Sequence, residues 1–584
     1  MDRGLWLSRL RRREVLADRV PLVLATIQAL VILGPVLGPG VAVSYDMAWS
    51  PDPRWTPFVT GVDTPAPRAV PSDAVAVLVG QVVGAGLAQS LILGGVLVAL
   101  GTGTAALAGE IGGVIGPLAR CTAVVAGVWN PFVYERLMVG QWTIIAGLAL
   151  LPWALLQVVR LARGNGSARS LAGLTVAAGL GGANTLIMVL SAVVPSLIVL
   201  AVGRRWATVR PALLTTVVVG AGMAAVWALP ALAADADPSA GASATAFVPQ
   251  ADSRLGVLGS IVSGGGLWNV AAHPQARMLL VNAGAAAVLA LLGVVCVMSM
   301  PLGNARRALV AALGVPTTVV LLSITPALEP LWMTLVLGPP GGGILRDSHK
   351  FLGPWVIISS AGTGLIAHAV SSRGWRAAAG LLTPLLLTLP VALTTYLAWG
   401  GLGRLSAVEV PADYRAAMAE LSAHAHGDVG LLPWSQYRRY PWNEGRVSLT
   451  LAPRMMSRIV LFDDSLPLRS GTVSGESVRA AEVSQRIAEG DSPVEALRLV
   501  GVDTIVLERT AAGLAVEDDV RRAGSLLIST ENVLVVRLAP PALEGARELW
   551  SVRVGWTATL LTALVVGGLS AVETLRQSRA KAPA

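Results

Sequence analysis

This sequence predicts a polytopic α-helical membrane protein with about twelve transmembrane helices and one small α/β domain. Three observations predict it: an apolar, charge-poor composition, arginines at every second connection between apolar runs, and one abrupt change to soluble-protein patterning near Gly400. The chain has 584 residues, 54% hydrophobic and 14% charged, with a mean hydropathy of +0.65. That is too apolar for a water-soluble enzyme of this length.

The apolar runs begin with Val20 to Val43, continue through Val370 and end with Gly555 to Val572. At roughly 20 residues per crossing they make about twelve spans. Arg9, Arg11, Arg12 and Arg13 precede the first. Arg160/Arg163/Arg169, Arg204/Arg205/Arg210, Arg306/Arg307, Arg373/Arg376 and Arg576/Arg579/Lys581 fall at alternate connections. Positive charge marks the cytoplasmic side, so both termini are expected there, with the first span uncleaved. The intervening connections, which carry Asp46, Glu135, Asp235, Glu329 and Asp347, are expected on the outer face. The net charge of +9 follows from the cytoplasmic loops and is no nucleic-acid footprint. Cys121 and Cys296 both fall in predicted spans, which excludes a disulfide framework or a cysteine zinc site.

The expected organisation is a transmembrane domain over 1–400, an extracytoplasmic α/β domain over 401–549, and a last helix with a cytoplasmic tail over 550–584. Within the second part, Asp428-Val-Gly-Leu-Leu-Pro433 and Arg458-Ile-Val-Leu-Phe462 read as strands, and Gly475 to Glu489 has helical periodicity. Ser492-Pro493 opens a further helix that runs through Gly501 into the strand Thr504-Ile-Val-Leu507.

Three outer connections carry chemistry. The first, Val43-Ser-Tyr-Asp-Met-Ala-Trp-Ser-Pro-Asp-Pro-Arg-Trp-Thr-Pro57, holds Asp46 just beyond the first span. A partly desolvated carboxylate there suits a general base acting on a hydroxyl; the same loop also reads as an interfacial tryptophan anchor. The second, Trp129-Asn-Pro-Phe-Val-Tyr-Glu-Arg-Leu-Met-Val-Gly-Gln-Trp142, sets Glu135 and Arg136 among amides between two apolar runs, where charge is costly and marks function by default. A simple pairing of the two charges is the alternative. The third, Gly338-Pro-Pro-Gly-Gly-Gly-Ile-Leu-Arg-Asp-Ser-His-Lys-Phe351, ends in Arg346, His349 and Lys350, cations that suit a phosphate cradle or a basic loop on lipid headgroups. Trp434, Tyr437, Arg438 and Trp442 in the α/β domain form a candidate stacking surface for a glycan or part of that domain's core. His424 and His426 lack a third ligand. Ser435 and Asp463 lack a hydrolase context, the glycine run lacks the lysine of a P-loop, and His368 reads as a packed span residue.

Taken together, Tyr45-Asp46-Met47, the string Asn-Pro-Phe-Val-Tyr-Glu-Arg-x-x-x-Gly-Gln-Trp, the late Leu-Arg-Asp-Ser-His-Lys-Phe loop and the soluble outer domain resemble actinobacterial membrane proteins of the glycosyltransferase C (GT-C) superfamily. The resemblance implies an inverting transferase that moves a sugar from a polyprenyl-phosphate donor to a cell-envelope glycan or glycolipid acceptor. It implies Asp46 as catalytic base, with Glu135 beside it. Arg136, Arg346, His349 and Lys350 would serve the donor phosphate, and Trp434, Tyr437, Arg438 and Trp442 the acceptor. Tyr45-Asp46-Met47 stands where the commonest pattern has adjacent acidic residues, so no metal ligand is assigned, and a divalent cation, Mg or Mn, is left open as cofactor. Expected partners are the lipid-linked donor, the acceptor and membrane lipid, with no nucleic acid. The expected location is the plasma membrane, with the active site outside. A transporter or lipid flippase is the rival reading, for which polar groups should line a path across the bilayer; a noncatalytic envelope-assembly protein is the third.

Overall fold

The computed structural model describes residues 19–63, 67, 69–203, 206–233, 241–339, 341–372, 376–423, 427–468, 471–539 and 549–581. Arg9, Arg11, Arg12, Arg13, Arg204, Arg205, Asp235, Arg373, His424 and His426 lie outside the described residues.

Among the described residues nine helices are long and apolar enough to cross a membrane: Arg19–Leu37, Ala85–Gly112, Trp142–Arg163, Ala183–Val202, Trp206–Ala233, Leu280–Ser299, Asn304–Ile324, Ser348–Ser372 and Trp550–Ser570. A pair bent by 57°, Gly380–Leu393 with Thr395–Leu402, makes ten if it is one span. By length and composition, nine to ten of the about twelve expected spans are seen among the described residues. Further apolar helices exist, but Ser72–Val83 and Pro117–Val128 have 12 residues each and Ala168–Leu180 has 13. At 1.5 Å per residue these reach only about 18–20 Å, short of a hydrocarbon core of about 30 Å. The chain is a multi-pass membrane protein. Small residues let its helices approach closely: a Cβ on Gly293 would strike the Ser359 carbonyl, and one on Gly362 would strike the Gly293 backbone.

The α/β domain is built on a five-stranded sheet in the order Ser525–Ser529, Val533–Arg537, Val502–Glu508, Asp428–Leu432, Val460–Leu461. The last three strands are parallel and the first two antiparallel. Strand alternation divides two cores. Val429, Leu431, Val506, Val533 and Val535 face the Ala412–Ala423 helix through Tyr414, Ala417, Met418 and Leu421. Leu432, Ile505, Leu507, Leu534 and Val536 face Val478–Glu489 and Pro493–Leu499 through Val483 and Leu497. The first core continues into the membrane region through Val41, Val43, Trp49, Ala85 and Ala88. A short three-stranded sheet joins the two parts: Val41–Ser44 lies between Met47–Ala48 and Ala407–Val408, antiparallel to both. The domain therefore sits on the end of the bundle that carries the first loop.

Candidate functional site

Asp46 occupies the tip of that hairpin. Ser44 pairs with Met47, so only Tyr45 and Asp46 make the turn. Tyr45 has φ 44°, a left-handed conformation that an aromatic residue adopts at a cost of roughly 1–3 kcal/mol. The α/β domain holds it there: Tyr45 N donates to Val447 O (2.7 Å), and Leu449 N donates to Tyr45 O (2.9 Å). From the other side Asp46 N donates to Val139 O (3.0 Å). Gly140, at φ 77°, lies so close to Ser44 and Met47 that a Cβ would strike their backbone. Among the described residues, two side chains orient the carboxylate: Gln141 Nε2 donates to Oδ2 (2.9 Å) and Tyr437 Oη to Oδ1 (3.0 Å).

Gln141 belongs to the second loop. There the Pro131–Met138 helix is started by Asn130, whose Oδ1 accepts from Val133 N (3.0 Å), and by Pro131 in the first turn. All eight of its residues are buried, Glu135 and Arg136 completely. Arg136 grips Asp347 of the third loop with both Nη atoms (2.6 and 2.8 Å) and also donates to Gln141 Oε1, the bidentate geometry that only a guanidinium supplies. Its Nη2 lies 3.0 Å from His349 Nδ1. Since Nδ1 there accepts, the partners place the imidazole proton on Nε2, which donates to Gly265 O (3.2 Å). The ring stacks on Phe132 at 5.0 Å. One continuous hydrogen-bonded chain thus runs from Tyr437 through Asp46, Gln141 and Arg136 to Asp347 and His349, joining the α/β domain and all three loops.

Behind it lies a second buried set. Glu135 accepts from Gly266 N (3.3 Å) and Leu267 N (3.0 Å), and its Oε2 is 3.6 Å from His349 Nε2. The neighbouring Asp252 and Arg277, both without exposure, form an ion pair through Nε to Oδ2 and Nη2 to Oδ1 (3.0 Å), and Arg277 Nη2 also donates to Ser263 Oγ (2.6 Å). Burial, and then the Asp252 carboxylate, push the Glu135 carboxyl well above its ordinary range. Burial would raise Asp252 too, but the Arg277 guanidinium outweighs it and holds that carboxyl below its ordinary value. Asp347 is likewise held low: burial opposes, and Arg136 prevails.

The phosphate cradle expected of Arg136, Arg346, His349 and Lys350 is not an open one. Arg136, His349 and Lys350 are at most 2% exposed and direct their polar groups inward. Lys350 Nζ donates to Asn184 Oδ1 (2.9 Å) and Ile344 O (2.5 Å). Arg346 alone of the four is half-buried, lying against Gly343. Nor do the four expected acceptor residues form one surface. Tyr437 faces Asp46, whereas Arg438, its neighbour on the strand Tyr437–Arg439, points to the opposite face and pairs with buried Glu508. Glu508 also accepts from Tyr414 (2.6 Å), Tyr440 (2.8 Å) and Thr450 (3.1 Å). Burial and the Glu508 charge raise both phenols above their usual range. Trp442 stacks on Tyr440 at 4.4 Å, and Trp434 Nε1 donates to Ser484 Oγ (2.9 Å) in the far core.

No family model and no curated protein matches this sequence. Solved structures do. Three cryo-EM structures of the arabinofuranosyltransferase AftD from Mycobacteria, two of them classes of a mutant, superpose with TM-scores of 0.56, 0.56 and 0.54 over 90–91% of this chain, at 15–17% identity. The likeness is one of overall fold. The chain spans 40–41% of the length of those structures, and its own fold places the first-loop aspartate and the second and third loops at one end of the bundle.

Residues that sequence reasoning gave no role complete the arrangement. Gln141 and Asp347 stood within the motifs already singled out. Asp252, Arg277, Asn184, Glu508, Asp73 and Arg454 had no local signal. Among the described residues no three His, Cys, Asp or Glu side chains gather in a way that could hold a metal ion. The Asp46 carboxylate accepts from an amide and a phenol among the described residues.

Proposed function

We propose that this protein is a membrane glycosyltransferase that moves a sugar from a polyprenyl-phosphate donor to an extracytoplasmic envelope glycan or glycolipid, with inversion and with Asp46 as base. One observation carries the reading: the hydrogen-bonded chain that gathers Asp46, Gln141, Arg136, Asp347 and His349 at one end of the bundle. A transporter would distribute such groups along a path between the two ends. Arginines at the other end support the orientation, with both termini cytoplasmic. There Arg160 and Arg163, at the far end of the span that Gln141 precedes, pair with Glu110 (2.8 and 2.9 Å).

The residues divide the work as follows. Asp46 takes the proton of the acceptor hydroxyl as that oxygen attacks the anomeric carbon. Gln141 and Tyr437 fix the direction of its lone pairs. The lipid phosphate leaves as a stable anion and needs no proton. Half-buried Arg346 is the contact for that anion, while Arg136 and Lys350 act from within: they position the loops and lend positive potential in a site of low dielectric. Glu135 sits too far into the protein to meet substrate and acts through His349 and the loop at Gly265–Leu267. The arabinofuranosyl transfer named for the structural relatives makes a polyprenyl-phosphate pentose the first donor to test.

The test is transfer by the purified full chain from a panel of radiolabelled polyprenyl-phosphate sugars, arabinofuranose included, to envelope glycolipids. Asp46→Asn, with an unchanged melting temperature, is expected to lower turnover by about 10²–10⁴-fold. A folded Asp46→Asn at full rate would move the base elsewhere. No transfer from any donor by the wild-type chain would overturn the reading.

A further inference from the structure

A cleft opens beside Asp46. It is lined by Asp46, Trp49, Ser50, Asp73, Trp142 and Arg454, with a cavity volume of about 30 Å³. Trp49 of the first loop and Trp142 of the second form one wall, their rings 5.7 Å apart and tilted by 58°. The cleft is also lined by an ion pair between the two parts of the molecule: Arg454 Nε of the α/β domain donates to Asp73 Oδ2 (2.8 Å) on the Ser72–Val83 helix. The guanidinium lies 4.5 Å over the Phe58 ring. The Arg454 and Asp73 side chains keep 10% and 18% exposure. Neither residue is used by the mechanism above.

Two tryptophans, two carboxylates and one guanidinium around a small cleft make up the chemistry that holds a neutral sugar. Indole faces cover the apolar C–H side of the ring, and a carboxylate with an arginine takes adjacent hydroxyls as acceptor and fork of donors. We infer that this cleft is the acceptor subsite, in which Trp49 and Trp142 cover a sugar ring of a neutral glycan and the Asp73–Arg454 pair selects which hydroxyl reaches Asp46. The inference rests on the transferase reading and adds to it the acceptor's binding residues. The donor is assigned to the other side because its tail must stay in hydrocarbon. A groove lined by Trp129, Asn130, Pro131, Leu289, Trp355 and Val356 runs between the helices Leu280–Ser299 and Ser348–Ser372 to the start of the Glu135 helix.

The cleft as it stands is narrower than a sugar ring, so binding parts its walls. One wall belongs to the α/β domain. That domain is fastened at this edge by few groups: Thr56 Oγ1 donates to Pro453 O (2.9 Å), and the partly exposed Arg415 pairs with Asp52 (2.5 Å). The domain thus supplies the acceptor site through Arg454. Trp434 and Arg438 remain internal to it.

The experiment uses the full chain, an octyl-tagged linear arabinofuranoside and a mannopyranoside oligomer as acceptor probes, and the variants Asp73→Asn, Arg454→Gln and Arg454→Lys, each checked for an unchanged melting temperature. For Asp73→Asn and Arg454→Gln, the acceptor KM is expected to rise at least tenfold. Donor KM should stay within twofold and kcat at saturating acceptor within threefold, and Arg454→Lys should recover part of the loss. Calorimetric titration of the acceptor without donor should show the same weakening. A role confined to holding the domain in place would instead lower kcat and the melting temperature together, and would overturn the inference. So would variants with unchanged acceptor KM while the wild-type chain transfers normally, an outcome that leaves the transferase reading intact. A wild-type chain that neither binds nor uses either probe or any other acceptor would overturn both.

Discussion

Glu135 is a carboxyl whose surroundings favour its neutral form. It has no exposure, and burial with the nearby Asp252 charge raises its pKa well above 4.5. Between the ordinary value near 4.5 and the raised folded value, the folded protein holds a proton that the unfolded chain has lost. Stability conferred by neutral Glu135 is therefore complete below 4.5 and falls as pH rises through the folded value. Asp252 works in the opposite sense, and only below its ordinary 3.8, where stability is lost as pH falls through its lowered value; the two windows do not overlap. Glu135→Gln keeps the shape but cannot ionise. Relative to the wild type, its melting temperature should rise as pH rises above about 4.5. A wild-type curve that rises with pH relative to the variant would contradict this assignment. Polar character in the second loop was legible from the sequence, because Glu135 and Arg136 stand between apolar runs. Their partners were not: Asp347 lies 211 residues beyond Arg136, and no spacing rule links them.

At the scale of elements, the turn-rich segment Asp252–Arg277 is a clamp on the back of the site. Its Asp252–Arg277 pair is buried on both sides, and its backbone supplies Gly266 N and Leu267 N to Glu135 and Gly265 O to His349. Removing one member of such a pair leaves a buried charge without its counter-ion, at a cost of about 3–5 kcal/mol. Arg277→Met should lose that much. Asp252→Leu with Arg277→Met should recover most of it, since an apolar pair of similar size carries no desolvation penalty. Thermal unfolding of the three variants decides it: a double variant less stable than Arg277→Met would show that the pair's hydrogen bonds to Ser263 and the loop matter more than its charge. This clamp was illegible in the sequence, where Asp252 and Arg277 look like two ordinary loop charges. By contrast, the strands Asp428–Leu432 and Val502–Glu508 and the helix capped by Ser492 were legible, because periodicity and capping are local signals. Local signals fail for a pair joined only by the fold.

Across the whole molecule, the site exists because two separately patterned parts fold onto one another. The apolar spans and the α/β domain were each readable from composition, but their union depends on a hairpin of six residues and on the backbone bonds that Tyr45 makes to Val447 and Leu449. The strand that delivers Tyr437 to Asp46 is anchored through its neighbour Arg438, and Arg438 is anchored by Glu508. Glu508 thus controls the site from a distance without touching a substrate. Glu508→Ala would leave Arg438, Tyr414, Tyr440 and Thr450 without their shared acceptor in a buried core, a loss of about 3–5 kcal/mol. The domain should then loosen while the helical bundle holds. Limited trypsin digestion should cut within 427–539 at least tenfold faster, with the spans still protected, and turnover should fall with it because Tyr437 no longer steadies the Asp46 carboxylate. Glu508→Gln should fall between, since its single carbonyl oxygen still accepts from the phenols but no longer neutralises Arg438. A Glu508→Ala protein that resists trypsin like the wild type and keeps full turnover would mean that Asp46 is positioned by the membrane loops alone, through Gln141 and Val139.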